Sequence, residues 1–91
     1  MLEDIEVSVT FREGLTRLFT GRAKLGQVSL EFEGIVFPSV GGPNINARFT
    51  EEALKLLNDM GFSDLEVERL LEQLNLAILN GEARMVDEVG E

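Results

Sequence analysis

Carboxylates form the densest group of side chains that could do chemistry in this sequence. Five acids lie close together along the chain: Asp59, Asp64, Glu66, Glu68 and Glu72. Paired carboxylates can run hydrolysis or hold Mg²⁺ or Ca²⁺, but this spacing is not that of a calcium-binding EF-hand loop. Glu68 and Glu72 are one helical turn apart and flank Arg69, which is typical of a solvated helix face. We therefore expect no metal and no cofactor here. Asp64, Glu68 and Glu72 are kept as candidates for a negatively charged partner surface.

A glycine-rich stretch, Gly41-Gly42-Pro43-Asn44, lies where phosphate-binding loops lie, between strands and a helix. It has neither the G-x-x-x-x-G-K-[ST] spacing nor G-x-G-x-x-G. Pro43 removes one backbone donor, and Arg48 is the only nearby cation. The stretch is therefore predicted to be a connecting loop.

Three reactive residue types are absent from the sequence: Cys, His and Tyr. Their absence excludes disulfides, thiolate metal sites, cysteine nucleophiles and the commonest general base. Ser and Thr are present, but no Ser-x-x-Lys or Gly-x-Ser-x-Gly motif exists to activate one. We therefore expect a protein that is not an enzyme.

The charge of the chain is negative and uneven. Its net charge is -9, with six acidic and five basic residues in residues 1–48 but eleven and three in residues 49–91. Such a balance disfavours direct binding to nucleic acid or to an anionic membrane, which need clustered Lys and Arg. It leaves open an acidic inhibitor that binds a nucleic-acid-binding protein by resembling DNA phosphates.

The sequence Met60-Gly61-Phe62 stands at a break between two apolar periodic segments. It resembles the Met-Gly-Phe loop of ubiquitin-associated domains, three-helix bundles that bind ubiquitin through that loop, and the resemblance would cover residues 49–89. The second helix predicted here is longer than the short middle helix of that family. Each residue also has a structural role: Gly61 ends one helix in the left-handed conformation, and Phe62 and Ser63 begin the next. We adopt the structural interpretation.

The elements that position these residues begin with strands. Ile5, Val7, Val9 and Phe11 alternate with polar residues, which predicts a strand with one buried face. Residues 12–14 suit a three-residue hairpin loop in which Phe11 faces Leu15. Residues 15–20 are too few to distinguish strand from helix, so both alternatives stay open. After a predicted turn at residues 21–26, Val28, Leu30 and Phe32 alternate as a third strand.

The third strand ends in apolar residues that face both ways. Gly34 interrupts the alternation, so that a bulge or a second covered face is expected, and Ile35 and Phe37 are candidates for a contact surface. Pro38 is predicted to close the strand. Residues 38–49 are predicted to be a loop.

Two helices are predicted between residues 50 and 80. Thr50 caps the first, and Ser63 with Glu66 forms the S-x-x-E capping box of the second. The apolar stripe of the second helix leaves Leu76 and Leu79 on nearly the opposite side. These leucines are either a partner surface or are covered by the C-terminal tail, through Met85, Val86 and Val89.

Together these patterns predict an α+β fold: an antiparallel meander of about three strands packed against an antiparallel helix pair. One domain spans residues 1–91, with a β-rich part at 1–37, a loop at 38–49, a helical hairpin at 50–80 and a short tail at 81–91. No apolar run is long enough to cross a membrane, and the acidic start favours a cytoplasmic protein. We expect an accessory or regulatory subunit that binds another protein or itself.

Overall fold

The computed structural model describes residues 1–87, and for Asp87 the backbone alone. The chain forms five strands and two helices in this order: β1 (Glu3–Glu13), β2 (Thr16–Leu25), β3 (Val28–Ser39), β4 (Gly42–Phe49), α1 (Glu51–Asp59), α2 (Asp64–Leu79) and β5 (Arg84–Asp87). The α+β class is confirmed. Val89, predicted as part of the cover over α2, lies outside the described residues.

The sheet has five strands in the order β4-β3-β2-β1-β5, and it is mixed. Strands β1 to β4 form an antiparallel meander, whereas β5 returns to pair with β1 in parallel. The prediction of about three strands was therefore wrong. It missed β4 and β5, and part of the predicted tail is a strand.

The β1–β2 hairpin differs from its predicted register. Residues 15–20 belong to a strand, and β2 continues to Leu25 through the segment that was predicted to be a turn. Glu13 pairs with Thr16, and a register shift lies between Val9 and Phe11. This irregularity sends Val9 to the buried face and Phe11 to the opposite face, since one extra residue inverts the alternation.

Residues 38–49, predicted to be a loop, instead contain the end of β3 and all of β4. Pro38 does not close β3, because it pairs directly with Pro43 of β4. Neither proline has an N–H, so this must be a pair that exchanges no backbone hydrogen bonds. In such a pair the backbone nitrogens face away from the partner strand. The two prolines therefore remove no hydrogen bond between β3 and β4.

One face of the sheet, the inner face, packs against both helices around a common core. The sheet contributes apolar side chains such as Val7, Phe19, Leu30 and Phe32, and the helices contribute Ala53, Leu57, Leu70 and Leu74. Helix α1 buries only a narrow stripe, Ala53 and Leu57, since Leu54, Leu56 and Met60 are exposed. The predicted packing of the two helices against each other stays a prediction.

Helix α2 is fastened to the sheet by two side-chain amides. The Asn75 Oδ1 accepts a hydrogen bond of 3.1 Å from the Ala47 backbone N–H in the edge strand β4. The Gln73 amide exchanges two 3.3 Å bonds with the backbone of Leu2. The helix therefore connects the segment that leads into β1 with the opposite edge of the sheet.

Two glycines in the sheet make room for aromatic rings. Gly21 pairs across the strands with Phe32, and Gly34 pairs with Phe19. A Cβ on Gly34 would lie 2.6 Å from the Phe19 Cζ, and one on Gly21 would lie 2.5 Å from the Phe32 Cζ. The β2–β3 pairing shows no register shift at Gly34, so the expected bulge is absent and ring packing accounts for this glycine.

The helix ends follow the predicted caps. The Thr50 hydroxyl accepts a bond from the Ala53 N–H, and Ser63 and Glu66 form the reciprocal capping box. Gly61 has a φ of +89°, the left-handed conformation expected at a helix end. The structural interpretation of Met60-Gly61-Phe62 is thus confirmed for its glycine and its cap.

The capping box makes a pH-dependent contribution to the start of α2. The hydrogen bond from the Ser63 backbone N–H lowers the pKa of Glu66 below its usual 4.5. Because the folded pKa is the lower one, this stabilisation is complete above pH 4.5 and is lost as the pH falls through the folded pKa. Ser63→Ala removes the hydroxyl, the smaller of the two Ser63 contributions, but keeps the backbone N–H that bonds to the carboxylate. We therefore expect the Glu66 pKa to rise only part of the way toward 4.5, as measured by NMR titration of its carboxyl carbon. A rise all the way to 4.5 would contradict the backbone hydrogen bond as the main cause.

Candidate functional site

The sheet face opposite the helices, here called the outer face, is covered by no other element within residues 1–87. Ile35 and Phe37 lie on this face, on the side of β3 away from Val36, which packs against the core. Ile35 pairs with Leu18, and Leu18 pairs with Phe11. Phe11, Leu18, Ile35 and Phe37 form the outer apolar patch, in which Phe11 is 48% and Leu18 39% exposed.

A row of alternating charges crosses the outer face beyond this patch. The Glu6 carboxylate in β1 contacts the Arg84 Nη2 in β5 at 2.9 Å and the Arg22 Nε in β2 at 3.4 Å. Arg22 in turn pairs with Glu31 in β3. Arg84, Glu6, Arg22 and Glu31 are called the charged row. Ser8 and Thr20, a directly paired couple, lie between the charged row and the outer apolar patch.

An apolar cleft of about 410 Å³ opens on the inner face, where α2 ends short of the long strands. Its floor is core, including Val7, Val9 and Phe19 of the sheet, and its walls are the last turn of α2 and strand β5. Leu79 is 45% and Met85 57% exposed at these walls. The cleft is therefore an uncovered continuation of the core.

Two arginines stand at one end of the cleft. Arg12 and Arg17 both line it, and they pair directly across β1 and β2. The Arg17 Nη1 donates to the carbonyl oxygens of Gly14, at 2.8 Å, and Thr16, at 3.2 Å. These bonds orient the Arg17 guanidinium, whose other N–H groups can donate to an anion near this end of the cleft.

The two leucines singled out on α2 line different depressions. Leu79 belongs to the apolar cleft, whereas Leu76, 53% exposed, lines a shallow groove along α2 with Leu65, Glu68 and Glu72. The groove thus brings together three of the predicted surface residues. Asp64 is the exposed first residue of α2 and does not line it.

The tail covers α2 only in part. Residues 84–87 form β5, in which Met85 pairs with Val7 of the inner face and lines the apolar cleft beside Leu79. Val86 also borders the cleft, but it pairs with Ser8 and so lies on the outer face. Leu76 and Leu79 nevertheless keep about half of their surface exposed, as the sequence pattern indicated. The sequence pattern placed Phe11 on the buried face, and the structure places it on the outer face, because the irregularity in β1 has no recognisable sequence pattern.

The interior of the described part of the chain is apolar. Residues 1–86, whose side chains are described, include no buried polar or charged residue. Among the same residues no cluster of acids is close enough to hold a metal ion. The described helices are also too short or too polar to cross a membrane.

Comparison with known proteins identifies no relative: no protein-family model, no curated protein and no solved structure matches this chain. The fold and its surfaces alone define the class. It is a small α+β protein in which two helices cover one face of a mixed five-stranded sheet and leave the other face open.

Proposed function

We propose that this is a small, acidic, non-enzymatic protein of the cytoplasm that acts as an accessory or regulatory subunit by binding another protein in the apolar cleft. The observation that supports this most is Leu79 and Met85, exposed on either side of a floor made of core residues. The absence of Cys and His from the sequence supports a binding role over a catalytic one.

The shape of the cleft favours a short segment of a partner protein as its ligand over a flat partner surface. A volume of about 410 Å³ lies within the range of pockets that enclose a few large side chains. Removing apolar surface from water contributes about 25 cal/mol per Å², so covering Leu79 and Met85 gives a favourable interaction. The partner segment should therefore present one or two large apolar side chains.

The arginines at one end of the cleft add a preference for charge. Arg17 is held toward that end by its bonds to Gly14 and Thr16, and Arg12 lies beside it. A carboxylate is the natural counterpart of the oriented Arg17 guanidinium. We infer that the partner segment carries Asp or Glu next to its apolar residues.

Leu79→Gln is expected to weaken binding about tenfold or more, because a polar amide replaces a leucine that the partner buries. Peptides selected from a displayed random library against the wild-type protein supply the ligand, and titration calorimetry measures their affinity. Selected peptides should combine large apolar residues with Asp or Glu. On addition of a selected peptide, the NMR signals of the protein that shift should be those of Val9, Leu79 and Met85.

The matched control is Leu54→Gln, since Leu54 is also helical and 42% exposed but lies on α1. It should leave the affinity unchanged. Arg17→Gln should weaken binding and flatten its salt dependence. Peptides that bind Leu79→Gln as tightly as wild type, or shifts confined to another surface, would overturn the proposal.

The acidic helices favour a second candidate, an inhibitor of a nucleic-acid-binding protein. All acids on α1 and α2 are exposed, and none of them forms an ion pair within residues 1–87: Glu51, Glu52, Asp59, Asp64, Glu66, Glu68 and Glu72. Such a function predicts binding to a basic protein that weakens steeply with salt and is competed by duplex DNA. Salt-insensitive binding would exclude it.

A further inference from the structure

The two central strands of the outer face present three successive cross-strand pairs of matched chemistry. From one end of the β1–β2 hairpin to the other these are Glu6 with Arg22, Ser8 with Thr20, and Phe11 with Leu18. The first pair has opposite charges, the second has two hydroxyls and the third is apolar. In each pair, one member is a suitable contact for the other.

We propose that this face binds a second copy of the chain, through a two-fold axis that runs parallel to the strands between β1 and β2. Such an axis places each member of a pair opposite the other member in the second copy. Glu6 then faces Arg22 of the second copy, and Phe11 faces Leu18 of the second copy. One axis satisfies the charged, hydroxyl and apolar pairs together.

The charged row extends this complementarity by one strand on each side. Read across the sheet it is Arg84, Glu6, Arg22 and Glu31, with directly paired neighbours. Reversing the row inverts every sign, so Arg84 comes opposite Glu31 of the second copy. Val86 and Glu33, which the same axis exchanges, match less well. Both of these outer pairs lie on β5 and β3, where the twist of stacked sheets moves the partners apart, so the proposal rests on the three pairs of β1 and β2.

The interface is small. Four strands about 4.8 Å apart and five residues with a rise of about 3.4 Å give a patch about 15–20 Å on each side. Its area of about 200–400 Å² is well below the roughly 800 Å² that specific interfaces bury on each partner, so the contact belongs with weak, transient interfaces. The dimer is therefore expected to form in the micromolar range, and it uses the opposite side of the sheet from the apolar cleft, independently of the proposed function.

Charge reversal provides the sharpest test. Glu6→Arg alone places arginine opposite arginine, and Arg22→Glu alone places glutamate opposite glutamate, so each variant should be monomeric. Mixed in equal amounts, the two variants present arginines against glutamates and should form a heterodimer. We expect its affinity to exceed that of either variant with itself by about tenfold or more, measured by sedimentation equilibrium at low salt.

Leu18→Glu should also abolish the dimer, because it places a carboxylate in the apolar pair. Its matched control is Leu56→Glu, a leucine of similar exposure on helix α1, which should dimerise like wild type. Circular dichroism confirms that each variant is folded. A wild-type protein that stays monomeric at high micromolar concentration, a mixture no stronger than its components, or a dimer lost in Leu56→Glu but kept in Leu18→Glu would overturn the proposal.

Discussion

Phe32→Ala is expected to lower the free energy of unfolding by about 3–5 kcal/mol, the usual cost of deleting a buried aromatic side chain. Phe32 is 1% exposed, lies edge-on to the Phe19 ring at 6.3 Å between centroids, and pairs with Phe49. Domains are stable by about 5–15 kcal/mol, so this loss takes a large share of the total. The measurement is urea unfolding followed by circular dichroism.

Phe11→Ala is the control for this change. Phe11 is 48% exposed on the outer face, so its removal should change the free energy of unfolding by less than about 1 kcal/mol. The unfolding is measured in dilute solution, where any dimer is dissociated. Equal losses for the two variants would mean that the outer face is part of the core.

Gly34→Ala is expected to destabilise the fold by about 1–3 kcal/mol or more, because the added methyl group has no space. The new Cβ would lie 2.6 Å from the Asn46 carbonyl oxygen and 2.6 Å from the Phe19 Cζ. The Phe19 ring can turn aside, but the Asn46 oxygen is backbone and moves only with strand β4. The same urea unfolding measures the loss.

Gly41→Ala separates this packing effect from the general cost of replacing glycine. Gly41 lies in the β3–β4 turn, where an added Cβ would have no neighbour within 4 Å, and its φ is not in the left-handed region. The substitution should be neutral or stabilise by up to about 1 kcal/mol, since alanine restricts the unfolded chain. If Gly34→Ala is tolerated equally well, the Phe19 ring does not lie over Gly34.

The helices could be predicted from the sequence because their determinants are local. Thr50 and Ser63 bond to groups three residues away, and Gly61 ends α1 by its own conformation. Helical periodicity also placed Leu76 and Leu79 away from the buried stripe of α2. Whether the tail would cover them stayed open, because that depends on where the distant strand β5 lies.

Strands β4 and β5, which were not predicted, are determined by contacts with distant parts of the chain. The Arg84–Glu6 ion pair joins β5 to β1 across 78 residues, and four residues of β5 give no recognisable pattern alone. Strand β4 contains Pro43, Asn44 and Asn46, which are unusual in strands. Only the pairing of Pro43 with Pro38 explains why proline is tolerated, and that pairing cannot be derived from local sequence.

The candidate surfaces were predictable to a similar extent. Ile35 and Phe37 were predicted as surface candidates because the end of β3 has apolar residues on both faces. The structure adds Phe11 and Leu18 beside them. Leu79 was found by periodicity, but its neighbour Met85 required the position of β5. The three matched pairs of the β1–β2 hairpin depend on the register, which the irregularity after Val9 sets.

The late position of β5 in the chain has a consequence during synthesis. Strand β1 pairs with β2 on one side, and its other side stays open until residues 84–87 have left the ribosome. Local hairpins form quickly, whereas a parallel pairing across most of the chain forms slowly. A nascent or truncated chain therefore exposes β1 as an unpaired edge strand, which favours aggregation until β5 pairs with Glu6, Val7, Ser8 and Val9.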